Sequence, residues 1–289
     1  MAAARPRTAL LLATLLLATT AGTGVVGAAE KTENAPKGGA PQGDGRVAMT
    51  VEPSETLIVP GGGSQSLRLT NSGGQTTEYF VSVGNFDVAA NGTVRIDPPL
   101  TPGRSAKRWL RAEPERVTLK VGQSASIRVR ATPSRFALTG DHGAILLFVT
   151  APTKQGQLRF RGRIGVPIIV RVAGPLVRKL RVGRVTAVRS GRSRVVKVRL
   201  SNLGNVSERF TRDRMTFEVR RGKRLLARLR AGTRLILPGT SGVIAARYRG
   251  PARGPVTVRV KITPTPPQQA GPGIASAPRP IVRTATVRF

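Results

Sequence analysis

From Val47 onward the chain consists of short runs in which aliphatic residues alternate with polar or basic ones, separated by clusters of Gly, Pro, Asn and Ser. Leu67-Arg68-Leu69, Ile127-Arg128-Val129-Arg130, Val198-Arg199-Leu200 and Val258-Arg259-Val260-Lys261-Ile262 show the pattern plainly. A period of two sends successive side chains to opposite faces, so these runs predict half-buried strands with aliphatic residues inward and cations in solvent. Leu69, Val129, Val170, Leu200 and Val260 then face a core. Many short strands bounded by turn residues predict an all-β sandwich or barrel. Between Arg220 and Arg230, Leu225, Leu226 and Leu229 also fit helical spacing. The alternating Phe217-Glu218-Val219 just before them favours a hairpin turning at Arg221-Gly222-Lys223.

The two halves of the chain echo each other. Leu67-Arg68-Leu69-Thr70-Asn71-Ser72-Gly73 parallels Val198-Arg199-Leu200-Ser201-Asn202-Leu203-Gly204, and an aromatic residue follows each, Tyr79-Phe80 or Phe210. Asn and Gly tolerate the backbone angles of tight turns, so each copy reads as strand, turn, strand. Two copies of one unit predict tandem immunoglobulin-like β-sandwich domains, residues 47–174 and 175–289, meeting near Ala173-Gly174-Pro175.

The ends carry a different pattern. Arg5 and Arg7 precede the Leu/Ala run from Ala9 to Leu17, and small residues follow from Ala21 to Ala29. This is the layout of a secretory signal peptide over residues 1–29, cleaved after Ala28 or Ala29. The apolar run falls short of the roughly 20 residues a spanning helix needs, although Gly24 to Ala29 offers an extension into an uncleaved anchor. Residues 30–46 are Pro, Gly, Lys and polar, a flexible linker. Leu237-Pro238-Gly239-Thr240-Ser241 resembles a sortase sorting signal, but Ser241 stands in place of the last Gly, and Pro-Gly reads as a turn.

Charge narrows the function. The sequence has 48 Lys and Arg against 14 Asp and Glu, a net charge of +34, with no Cys and a single His, His142. Disulfides, thiolate metal sites and cysteine nucleophiles are thereby excluded, and catalytic residue types are scarce. No enzyme activity, cofactor or metal is expected. Asp141-His142 lies in a Gly-flanked turn with no nucleophile motif beside it, and Trp109, a candidate for stacking on a sugar ring, fits a core position better. Beyond Ala173 the acids are Glu208, Asp213 and Glu218 alone, whereas cations crowd Arg178, Lys179, Arg181, Arg220, Arg221, Lys223, Arg224, Arg228 and Arg230. These nine are the candidate polyanion-binding patch, since summed positive potential recruits anionic polymers and Arg forks suit phosphate or carboxylate. Arg-rich codon usage in a high-GC genome is the alternative source of the charge.

Trp109-Leu110, Pro114-Glu115-Arg116-Val117-Thr118-Leu119, Val121-Gly122-Gln123-Ser124, Ala131-Thr132-Pro133, Gly140-Asp141-His142-Gly143-Ala144-Ile145 and the strand from Ile164 to Gly174 follow in order. Together they resemble the peptidoglycan-binding domain of WxL-interacting surface proteins, over about Val47 to Gly174. Leu200 to Asn205 is similar to the start of the second domain found after it. The resemblance implies a secreted, wall-associated immunoglobulin-like module, though the family's carboxy-terminal membrane span and basic tail are not matched. The expected function is a non-enzymatic surface protein, secreted and cell-wall associated, binding peptidoglycan or an anionic cell-wall polymer. The alternative is a structural or chaperone-like assembly module that meets another surface protein, since an exposed edge strand accepts a partner's strand. Nucleic acid is disfavoured by export and by the 4% aromatic content, too little for a stacking platform.

Overall fold

The computed structural model describes residues 47–98, 103–155, 158–190, 193–250, 254–266, 273–274 and 279–288. The expected signal peptide and linker lie outside them. The first half contains β1 (Met49–Glu52), β2 (Leu57–Pro60), β3 (Ser64–Asn71), β4 (Thr77–Gly84), β5 (Phe86–Val88), β6 (Val94–Ile96), β7 (Leu110–Glu113), β8 (Arg116–Leu119), β9 (Ser124–Ala131), β10 (Gly140–Thr150), β11 (Thr153–Gln155), β12 (Leu158–Phe160) and β13 (Arg163–Val172). Sheet β1-β3-β9-β7 faces sheet β2-β13-β10-β4-β8, with β2 joining β13 in parallel. The chain passes from one sheet to the other between β1 and β2 and again between β7 and β8. Glu52–Pro53 and Glu113–Pro114, at these two crossings, are cis.

The second half contains β14 (Leu180–Ser190), β15 (Ser193–Asn202), β16 (Glu208–Phe210), β17 (Met215–Arg221), β18 (Arg224–Arg230), β19 (Arg234–Ile236), β20 (Ser241–Tyr248), β21 (Pro255–Ile262) and β22 (Ile281–Arg288). Sheet β14-β15-β20 packs on sheet β18-β17-β21-β22, and β16 pairs with β19. The architecture is two immunoglobulin-like β-sandwiches. Arg220 to Arg230 forms the hairpin and not the helix, turning through Gly222 at φ 54°.

Alternation along the strands decides what is inside. Leu69, Val129, Val170, Leu200 and Val260 are each at most 1% exposed. The first core gathers Leu67, Tyr79, Ile127, Phe148 and Ile168, and the second Val198, Phe210, Phe217, Tyr248 and Val258. Each such side chain contributes about 1.5–3 kcal/mol by leaving water. A third apolar cluster joins the sandwiches: Phe86, Ile145, Leu147 and Ile169 from the first meet Leu237 from the second. Gly140 permits the close approach, because a Cβ there would collide with the backbone oxygen of Asn205.

The internal echo has a physical basis in one buried asparagine per sandwich. Asn71 donates from Nδ2 to the carbonyls of Gln75 and Leu119, and its Oδ1 accepts from the Gly73 N–H. Asn202 repeats this wiring with Val206, Ile236 and Gly204. Each backbone also clasps the turn entering another strand: Gln123 and Gly122 at Asn71, Thr240 and Gly239 at Asn202. Leu237 to Ser241, the sortase-like stretch, is that second turn, with the Thr240 hydroxyl donating to the Leu237 carbonyl at 2.8 Å.

Removing either side chain strands at least one buried carbonyl, that of Leu119 at Asn71 and those of Val206 and Ile236 at Asn202, a loss of about 1–3 kcal/mol. Asn71→Ala and Asn202→Ala are each expected to fall in that range in urea denaturation, and a negligible loss at either site would show its wiring to be dispensable.

Candidate functional site

Three places gather charged side chains. The first is the seam between the sandwiches. Asp141, on β10, receives two hydrogen bonds from the Arg171 guanidinium on β13, at 2.7 and 3.0 Å, and a third from the Ser207 N–H of the second sandwich at 2.6 Å. The two charged side chains are 0% and 3% exposed. Asn205 adds a backbone bond to the Asp141 N–H. Glu55 pairs with Arg209 across the same seam at 2.7 Å, and that hydrogen bond holds its carboxyl below the ordinary range despite partial burial.

Arg178 departs from the sequence reading. It is not solvated: its guanidinium grips Glu208 at 2.6 and 2.7 Å, donates to the Thr265 carbonyl and is 5% exposed. A cation so enclosed is a structural clamp and takes no part in a polyanion patch. Its carboxylate partner lies 30 residues further along the chain, so local charge counting does not reveal the pair. Lys179 and Arg181 remain exposed at the entry to β14.

The second place is the outer face of sheet β18-β17-β21-β22. Arg220, Arg228 and Arg230 come together there, and the register adds Arg259 and Lys261 from β21, which the sequence reading did not single out. Their alternation was visible; their neighbours were not. Arg221, Lys223 and Arg224 are exposed around the hairpin tip. Glu218 sits among these cations, paired with Arg220 at 3.2 Å and Arg228 at 3.3 Å. Its partial desolvation raises its pKa, but the two guanidinium groups outweigh that and hold the carboxyl below the usual value.

The third is a groove in the first sandwich. Strand β8 covers β4 only from Thr77 to Phe80, and β7 ends its sheet. Between these two edges lies a cavity of about 1030 Å³, lined by Val83, Lys107, Arg108, Trp109, Leu110 and Arg111 among others. The Val81 N–H bonds the Glu115 carbonyl on the side away from β10, so by the two-residue repeat Val83 turns its N–H and C=O the same way, into the groove. The Trp109 carbonyl accepts from Thr132 on the β9 side, which leaves the backbone groups of Leu110 and Ala112 facing β4. Two strand edges thus confront each other across a cationic cleft. Trp109, half-buried, forms part of the wall, its ring 4.5 Å from that of His142.

His142 does not form a catalytic pair with Asp141, whose oxygens are taken up at the seam. Its Nε2 donates to the Leu138 carbonyl at 2.7 Å, and Nδ1 is buried with no hydrogen-bond partner. Among the described residues no group of three or more acidic or imidazole side chains is arranged to hold a metal.

No protein-family model matches the sequence, and no curated protein does. Among solved structures the chain is similar to the YadV chaperone, at 13% identity over 82% of this chain and 98% of that one, with a TM-score of 0.45. It is similar to the class 5 fimbriae chaperone CfaA, with the same identity and coverages and a TM-score of 0.46. It is also similar to the Salmonella enterica SafA pilin in complex with the SafB chaperone, at 14% identity over 82% and 96% of the chains and a TM-score of 0.41. Likeness at this level identifies neither ligand nor partner.

Breaking one side of a buried ion pair leaves an uncompensated charge, at a cost of about 3–5 kcal/mol. Asp141→Ala is expected to lose that much in thermal or urea denaturation. Asp141→Leu combined with Arg171→Met, which removes both charges, is expected to lose less; an equal loss would show that the charge itself is not what matters.

Burial lowers the pKa of His142, with Arg104 acting the same way, while the Leu138 hydrogen bond and Asp141 oppose the shift. The unfolded chain therefore takes up a proton below about pH 6.5 that the folded one resists. Stability from this group is full above that pH and falls as the pH drops through the folded value. Urea midpoints at about pH 7.5 and about pH 5.5, on either side of that ordinary histidine value, should show the decline, and His142→Phe should lessen it.

Proposed function

We propose that this chain is an extracytoplasmic assembly protein of chaperone-like type, which holds an extended, acidic segment of another surface protein. The observation that carries the reading is the groove of the first sandwich: open backbone edges of β4 and β7 face each other beside Lys107, Arg108 and Arg111. A strand laid along one of these edges gains main-chain hydrogen bonds from Val83 on β4, or from Ala112 and the Leu110 N–H on β7, the mode of recognition by strand addition. The cations favour acidic residues or a terminal carboxylate in that strand. Lys107 is only loosely engaged, with Asp97 at 3.3 Å and both side chains largely in water. The seam supports the reading too, because a rigid pair of sandwiches holds the groove in one shape. An anionic wall polymer has a basic surface available on the second sandwich and no need of a groove between strand edges.

Capture from solubilised envelope is the test. The full chain is expected to retain a protein at fixed stoichiometry. Arg108→Glu with Arg111→Glu should abolish retention, and so should Val83→Pro, which removes the groove-facing N–H without touching the ladder to β10. Retention of polysaccharide alone, or of the same protein by both variants, would refute the reading.

A further inference from the structure

The outer face of sheet β18-β17-β21-β22 is a second surface, independent of the groove. Cross-strand register aligns Arg228, Glu218 and Arg259 in one row, and Arg230, Thr216 and Lys261 in the next. Phe217, Val219, Val258 and Val260 point the other way into the core, so these rows stand outward. Strands lie about 4.8 Å apart and same-face neighbours along a strand about 6.8 Å apart, which fixes a dense lattice of cations on a flat backbone. Arg220 belongs to the same face, so five cations surround one carboxylate. Glu218 is already shared between Arg220 and Arg228, and Arg259 and Lys261 make no ion pair among the described residues.

Charges on an edge strand have a familiar structural use, since they prevent one sheet from pairing with another. That accounts for Arg228 and Arg230 on β18. It does not account for Arg259 and Lys261, because β21 lies between β17 and β22 and has no free edge. Cations on the outer face of an interior strand keep that face in solvent and leave their charge open to any anion that lands on it.

We propose that this face binds a linear polymer of phosphate groups, laid flat across the strands. Repeated anions match a repeated lattice, Arg forks and nearby Thr hydroxyls donate to phosphate oxygens, and a flat surface asks for no particular shape. A membrane fits less well: the exposed apolar side chains of the face, Leu225 and Val282, stand on β18 and β22, the two outer strands of the sheet.

Binding of the full chain to long-chain inorganic polyphosphate tests the proposal. Four or five phosphate contacts give a slope of about −3 in log K against log salt, so raising NaCl from about 50 to about 200 mM should weaken binding roughly 60-fold. Arg259→Thr with Lys261→Thr, which keeps a strand-forming residue at both positions, is expected to lose at least tenfold in affinity with the thermal transition retained. Should that variant fail to fold, Arg228→Gln with Arg230→Gln makes the same measurement from the edge strand. The control is Lys197→Thr with Arg199→Thr, an equal change in charge on the other sheet, expected to lose less than threefold. Equal losses in the control would reduce the effect to net charge and overturn the proposal. Tighter binding to anionic phospholipid vesicles than to polyphosphate, lost in the same variants, would overturn it in favour of a membrane.

Discussion

The Asp141 carboxylate fixes the geometry on which the rest of the molecule depends. A charge removed from water is costly unless every lone pair is answered, and here two bonds from Arg171 and one from the Ser207 N–H answer it. Two of the bonds come from the first sandwich and the third from the second, so the cost of burial is offset only when the sandwiches are docked. The apolar cluster of Phe86, Ile145, Leu147, Ile169 and Leu237 excludes water from the same seam. Apolar contact alone tolerates sliding; the directed bonds across the seam, Ser207 N–H to the Asp141 carboxylate and Asp141 N–H to the Asn205 carbonyl, do not. The groove of β4 and β7, lined by Asn85 and Ser105, therefore lies beside the end of the first sandwich that the second holds.

Acidic residues are so scarce that each has a traceable effect. After Ala173 there are 27 Lys and Arg and three acids. Glu208 is buried to hold Arg178, and Glu218 spaces the cations on the outer face. Asp213 stays exposed in a 3-10 turn, its carboxyl kept below the ordinary range by the Thr211 hydroxyl and then by its own backbone N–H, with Arg214 and Arg230 adding to the effect. The cations thus fall into two kinds. Arg171 and Arg178 are structural and enclosed, whereas Arg259 and Lys261 stand outward where folding does not require them.

What the sequence made legible follows from the range of the interactions. Alternation is a local property, so inward residues such as Leu69 and Val260 could be read directly. The Asn71 and Asn202 turns were visible because part of their hydrogen bonding reaches only a few residues within a recurring string. Arg178 was misplaced among solvated cations because Glu208 is 30 residues away and nothing local marks it as a partner. Arg259 and Lys261 were seen as an outward face but not as neighbours of Arg228 and Arg230, since strand register is set by tertiary pairing. The groove was invisible for a deeper reason. It exists because the chain leaves one sheet after Glu113 and joins the other at Arg116, so that β7 and β8 border different sheets and the β4 edge is only half covered.

Open edges and a large net charge bear on each other. An uncovered strand edge is a template for any extended chain, including another copy of the same protein, and natural sheets block such edges with charge or with proline. This chain leaves backbone groups of Val83, Leu110 and Ala112 facing a cleft, with the Leu110 carbonyl covered by the Arg111 guanidinium at 3.0 Å. At +34 two copies repel, so a second copy is a poor occupant, while an acidic strand is drawn to Lys107, Arg108 and Arg111. The same charge that sets two copies apart thus lies beside the open edges, at Lys107, Arg108 and Arg111, so self-pairing along those edges is opposed where the backbone is least covered.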